Sequence, residues 1–124
     1  MPYTNNWESE GLLRVFTGKV SGDEIFHSNT ELHSDNRFKN IHYIINDFSE
    51  ITGHSIETGH TEIYASTDKM ISHTKHSLKI ALVVPQKHLL DLAKNYRELM
   101  HEQKFKCDIF QTVKDAINWI DTDA

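Results

Sequence analysis

The hydrophobic positions change period several times along the chain, and each change marks an element. Residues 3–8 alternate weakly through Tyr3, Asn5 and Trp7, as an edge strand does. After a turn at Gly11, residues 12–17 read as a second strand that closes at Gly18, and the short connection makes the pair an antiparallel hairpin. Ser21 with Glu24 forms a capping-box pair, and Ile25, Phe26, Asn29, Leu32 and His33 then recur on one face of a helix, which Asp35, Asn36 and Arg37 break. Residues 41–48 are a mostly apolar run of strand length, the kind buried on both faces. Residues 49–59, with Gly53 and Gly59 among Ser, Thr and His, read as a loop. Ile63, Tyr64, Thr67, Met70 and Ile71 predict a second helix over 59–74. Residues 78–84 repeat the buried-strand signature and stop at Pro85. The third helix carries the clearest stripe, Leu89, Leu92, Ala93, Tyr96, Leu99 and Met100, with Lys94, Arg97, Glu98 and Glu102 opposite. A strand over 105–110 follows, then a helix capped by Thr112 with Val113, Ala116, Ile117 and Ile120 inward and Trp119 half-buried at its margin.

A hairpin followed by alternating strands and helices predicts one α/β domain over residues 1–124, with a mixed sheet whose central strands run parallel. Because the strands over 41–48 and 78–84 are apolar on both sides, helices or a partner should cover both faces. The 124 residues carry 13 Lys and Arg against 18 Asp and Glu, a net charge of −5. The first 62 residues hold four bases against ten acids and the rest nine against eight, so no basic stripe exists and nucleic acid is not expected as a partner. The longest apolar run, residues 80–84, is far short of the roughly 20 residues of a membrane span. The polar opening, with Trp7, Glu8 and Glu10, is unlike a signal peptide, and the lone Cys107 forms no internal disulfide; a soluble, cytoplasmic protein is expected.

The element order is similar to that of the STAS superfamily (sulfate transporter and anti-sigma factor antagonist). The landmarks resemble its SpoIIAA-like branch: Gly11 and Leu12 opening the second strand, Gly18 before the first helix, Arg37 and Phe38 before the third strand, Asp47 and Phe48 closing it, Ala81 to Val84 in the fourth, and Ala116 to Ile120 at the end. The resemblance spans about Trp7 to Asp121. It implies a mixed sheet and a non-enzymatic regulatory or protein-binding role. In antagonist members a kinase phosphorylates a serine or threonine in an Asp-Ser-Ser/Thr-Gly motif where the third strand meets the second helix, placing charge at a helix N-terminus inside an interface. Here that place reads His54, Ser55, Ile56, Glu57, Thr58, Gly59, so the motif is not intact. Thr58 and Ser55 are the phosphorylation candidates that carry over, and Thr58 also suits a helix N-cap. Asp47, Ser49, Ser55, Glu57 and Thr58 form the expected partner-binding loop. The branch is related in fold to lipid-binding SEC14-type domains, which implies as an alternative a carrier of a small apolar ligand or lipid.

The remaining chemistry is sparse. His54, Glu57 and His60 lie close together beside Glu62, but no HExxH or paired CxxC pattern is present, so solvated imidazoles are expected rather than a metal. His73, Lys75 and His76 suit the C-terminal end of the second helix, where cations are favoured. Cys107, near Lys104 and Lys106, reads as a buried or edge-strand thiol. No Gly-x-Ser-x-Gly elbow or phosphate loop occurs, and no cofactor is expected. Asp47 ends a central strand, where open sheets place their sites, but an Asx turn onto Ser49 or Glu50 is the simpler role. Tyr3 and Trp7 on an edge strand could support a homodimer.

Overall fold

The computed structural model describes residues 3–72, 77–101 and 105–122. Its strands are β1 (Tyr3–Trp7), β2 (Gly11–Val20), β3 (Tyr43–His54), β4 (Leu78–Val83) and β5 (Phe105–Phe110). The helices are α1 (Gly22–Ser34), α2 (Thr58–Ser72), α3 (Lys87–Leu99) and α4 (Val113–Ile120), with a 3-10 turn at Asn36–Asn40. One sheet has the order β1-β2-β3-β4-β5; β1 is antiparallel to β2, and every other pair is parallel. Ile45 pairs with both Leu13 and Ala81, so the two apolar runs do lie side by side in the same sense at the centre.

Alternation along the strands sorts the side chains into two layers. Leu12, Phe16, Ile44, Phe48, Ile80 and Leu82 face α1, α2 and α3, while Ile45, Ala81 and Val83 face α4 through Ala116, Val113, Trp119 and Ile120. Helices thus cover both faces, as expected. Ser21 and Glu24 form the capping box of α1, and Thr112 accepts from the Asp115 N–H at the start of α4. At the other end of α4, Lys79 Nζ donates to the carbonyls of Trp119 (3.1 Å), Ile120 (3.3 Å) and Thr122 (2.7 Å), neutralising the orphan acceptors of the last turn.

Two expectations are corrected. Residues 49–54 are strand, not loop, and β2 does not close at Gly18 but runs on to Val20. Glu50, Ile51, Gly53 and His54 pair with Thr17, Gly18, Lys19 and Val20 through two register shifts, and Gly18 takes φ +69°, a left-handed value that glycine adopts freely. Only Val20 and Ile51 of this ribbon are buried, while Ser49, Glu50 and Thr52 face water, which is why its composition imitates a loop. Because β4 ends opposite Asp47, the β2–β3 ribbon projects beyond the rest of the sheet.

The helix faces also differ. α1 buries Ile25, Ser28 and Leu32 and leaves Phe26 exposed; α2 buries Thr61, Tyr64, Ala65, Asp68 and Ser72 and leaves Ile63 50% and Met70 71% exposed; α4 leaves Ile117 exposed. Polar residues with interior partners displace apolar ones from the buried side. The central example is Arg14, fully buried on β2: its guanidinium donates to Asn5 Oδ1 (2.9 Å), Ser28 Oγ (3.1 Å), Asn29 Oδ1 (3.2 Å) and the Ser28 carbonyl (3.1 Å). Residues 73–74 of the expected second helix, His73, Lys75, His76 and Lys104 lie outside the described residues.

Candidate functional site

All four parallel strands end at one edge of the sheet, and every helix begins there. Helix N-termini leave amides unpaired and a partial positive charge, so this edge favours anionic or hydrogen-bonding partners. The residues between β3 and α2 are held tightly. Ser55 N–H donates to the Val20 carbonyl (3.0 Å), Ile56 N–H to His54 Nδ1 (3.1 Å) and Glu57 N–H to His60 Nδ1 (2.9 Å). Ile56 is buried and anchors the segment in the core. The Glu57 carbonyl accepts the first helical bonds, from His60 (3.0 Å) and Thr61 (3.4 Å), so Glu57 stands at the helix entry. Thr58 is therefore the first helical residue rather than the N-cap, and its carbonyl accepts from Thr61 Oγ1 (2.7 Å).

Of the residues singled out in the sequence, Ser55, Glu57 and Thr58 are exposed together on this edge, and Ser49 is exposed at the base of the ribbon. Asp47 is buried, and its Oδ1 accepts from the Ser49 N–H (2.9 Å), an Asx turn where the ladder shifts register. The start of α3 closes over the ribbon: Gln86 Nε2 donates to the Phe48 carbonyl (2.7 Å), and the His88 ring stacks on His54 at 5.3 Å. On the other side the His60 ring packs against Gly22, where a β-carbon would stand 2.3 Å from it, and Tyr64 donates to the Gly22 carbonyl. Gly22 is thus the close approach that docks α2 on α1. His54 and His60 each serve their own turn, and among the described residues no three His, Cys, Asp or Glu side chains gather as a metal site requires. Cys107, on edge strand β5, has its thiol pKa pushed up by burial and then by Asp108 and Asp68.

A second feature lies inside the fold, where periodicity along the chain gives no sign of it. A cavity of about 80 Å³ lies between the sheet and α1, α2 and α3, walled by apolar side chains such as Phe16, Ile44, Phe48 and Ile80. Polar groups break that wall. Asp68 accepts a short hydrogen bond from the Tyr96 hydroxyl and faces His33 Nε2 at 3.4 Å, and Thr61 Oγ1 accepts from Asn95 Nδ2 (2.6 Å). Burial, reinforced by Asp68, raises the Tyr96 pKa well above its ordinary value, so this phenol stays a donor. Asn46 lines the same space with a buried Oδ1 that meets no donor. The available signals were Arg14 between Leu13 and Val15, Asn46 after Ile44 and Ile45, and Asp68 between the apolar residues of the second helix; each is a polar residue inside an apolar pattern.

No family model matches the chain, and no curated protein matches it. Among solved structures it is similar to the anti-sigma factor antagonist SpoIIAA in its unphosphorylated form. The TM-score is 0.58 over 95% of this chain and 96% of that one, at 10% sequence identity. The fold is therefore STAS/SpoIIAA-like, a mixed five-stranded sheet with four helices, as the order of elements predicts. Among the described residues no helix is long and apolar enough to cross a membrane.

Proposed function

We propose that this protein is a non-enzymatic regulatory module that binds a protein partner through the carboxyl edge of its sheet. The observation that carries the reading is the projecting β2–β3 ribbon, continuous with a clamped helix entry that presents Ser49, Ser55, Glu57 and Thr58 on one exposed edge. A surface fixed before contact loses little conformational freedom on binding. The likeness of fold to an anti-sigma factor antagonist supports the same reading. Asp47 sets the register of the ribbon and acts behind the surface. Ser55 and Thr58 are the exposed hydroxyls at which phosphate would change the edge, adding charge beside Glu57 and the N-terminus of α2. In this reading the protein is cytoplasmic and uses no cofactor. The test is affinity capture from its native host with the wild type and with a Ser49→Ala, Ser55→Ala, Thr58→Ala triple variant. Loss of a retained protein in the variant is expected; an unchanged set of captured proteins overturns the proposal.

A further inference from the structure

The interior of α1 and α2 is built against the usual pattern. An amphipathic helix turns its apolar residues inward, yet α2 sends Ile63 and Met70 to water and turns Thr61, Asp68 and Ser72 inward, and α1 exposes Phe26 while burying Ser28. Of these, Thr61 and Asp68 line a space that the neighbouring side chains leave unfilled. Buried polar groups and voids both cost stability, and sequences keep such departures chiefly where a site needs them.

We propose that this cavity is a binding site for a small amphiphile with an apolar body and one hydrogen-bond-donating end, a hydroxyl or an amino group. The polar atoms of the wall decide the sign of that end. Asn29 Oδ1 is taken by Arg14, and Thr61 Oγ1 accepts from Asn95 and donates to the Thr58 carbonyl. The buried atom left without a partner is an acceptor, Asn46 Oδ1, and Asp68 keeps lone pairs beyond those facing Tyr96 and His33. A donor completes this set, whereas a carboxylate or phosphate brings only further acceptors and leaves Asn46 Oδ1 unpaired. Volume sets the size. At about 10–15 Å³ for each water-sized group, 80 Å³ admits about five to eight non-hydrogen atoms, the scale of a simple aromatic alcohol and far below a two-chain lipid. The apolar body would lie against Phe16, Phe48 and Ile80 on the sheet, with Ala93 opposite. This site is independent of the exposed edge and stands or falls apart from it.

The test is a titration of the isotope-labelled full chain, followed by amide NMR, with benzyl alcohol, toluene and benzoate. Benzyl alcohol should bind with a dissociation constant of about 1 mM or tighter, shifting amides of residues 44–48, 61–68 and 89–93. Toluene, with the same body and no donor, should bind about five- to tenfold more weakly, and benzoate should not bind. Asn46→Leu should weaken benzyl alcohol more than it weakens toluene, narrowing the difference between them. Ala93→Leu, which fills the space from α3, should abolish both. Absence of benzyl alcohol binding, equal binding of toluene, binding of benzoate, or wild-type affinities in a folded variant overturns the proposal. If neither variant folds, the comparison of the three probes on the wild type still decides.

Discussion

Asn46→Leu should make this protein more stable, although it replaces a residue at the centre of the sheet. Asn46 sits on β3 between Arg14 of β2 and Leu82 of β4, on the face toward the helices. Its Oδ1 is buried and reaches no donor, and an unpaired buried acceptor costs about 1–3 kcal/mol. Leucine has the same branching, and the adjoining cavity gives its methyl groups room and apolar neighbours. At about 2.1 cal/mol/K per residue, the unfolding entropy of 124 residues is about 0.26 kcal/mol/K, so the gain corresponds to a Tm rise of about 4–12 °C. Differential scanning calorimetry of both proteins without added ligand measures it directly. A Tm that falls, or does not move, would refute the assignment of Asn46 as an unsatisfied group. Together with the weakening of alcohol binding, a rise would mark Asn46 as a group kept for function at the expense of stability.

Other parts of the fold carry their own tests. Arg14→Lys loses the planar fork that serves Ser28 and Asn29 and should destabilise by about 2–4 kcal/mol in chemical denaturation, with Asn5 free to turn to water. Lys79→Met leaves the last carbonyls of α4 without their cation and should cost about 1.5–3 kcal/mol by the same measurement. Burial raises the Tyr64 and Tyr96 pKa values above 10, so their contribution is complete below pH 10 and is lost as pH rises toward the folded values, because only the unfolded chain ionises there. Burial lowers the Arg14 pKa, but the guanidinium, held as a donor by Asn5, Ser28 and Asn29, stays charged across this range, so Tyr64→Phe should flatten the alkaline decline. Thermal melts between pH 8 and 11 read the decline, at about 1.36 kcal/mol per unit for each shifted tyrosine. Amide hydrogen exchange should show Ile51, Gly53 and His54 protected as ladder donors or neighbours, where a loop would exchange at once.

The architecture was legible because it rests on runs of apolar residues. The stripe of Leu89, Ala93, Tyr96 and Met100 and the strand over 105–110 need no tertiary information to be seen, and both stand where periodicity puts them. The ribbon was not legible, because a two-stranded extension with water on most sides has the composition of a loop: Ser49, Glu50 and Thr52 hide the pairing that Val20 and Ile51 anchor. The faces of α1 and α2 failed for a different reason. Periodicity weights Phe26, Ile63 and Met70 as core, but the positions that point inward are chosen by partners elsewhere in the chain, Arg14 for Ser28 and Tyr96 for Asp68. At the exposed edge, Ser55 and Glu57 lie between β3 and α2, and Thr58, suited by type to an N-cap, is instead the first helical residue. That His54 and His60 hold the junction by accepting backbone N–H bonds follows only from coordinates.

The central claim is that the partner contacts the ribbon and the start of α2. A photo-reactive residue placed in turn at Glu50, Thr58 and, on the exposed side of α4, Asn118 tests it most directly when irradiated in living cells. The account predicts one common protein adduct from Glu50 and Thr58 and none from Asn118. Adducts confined to Asn118, or none from the ribbon and helix entry, would contradict it.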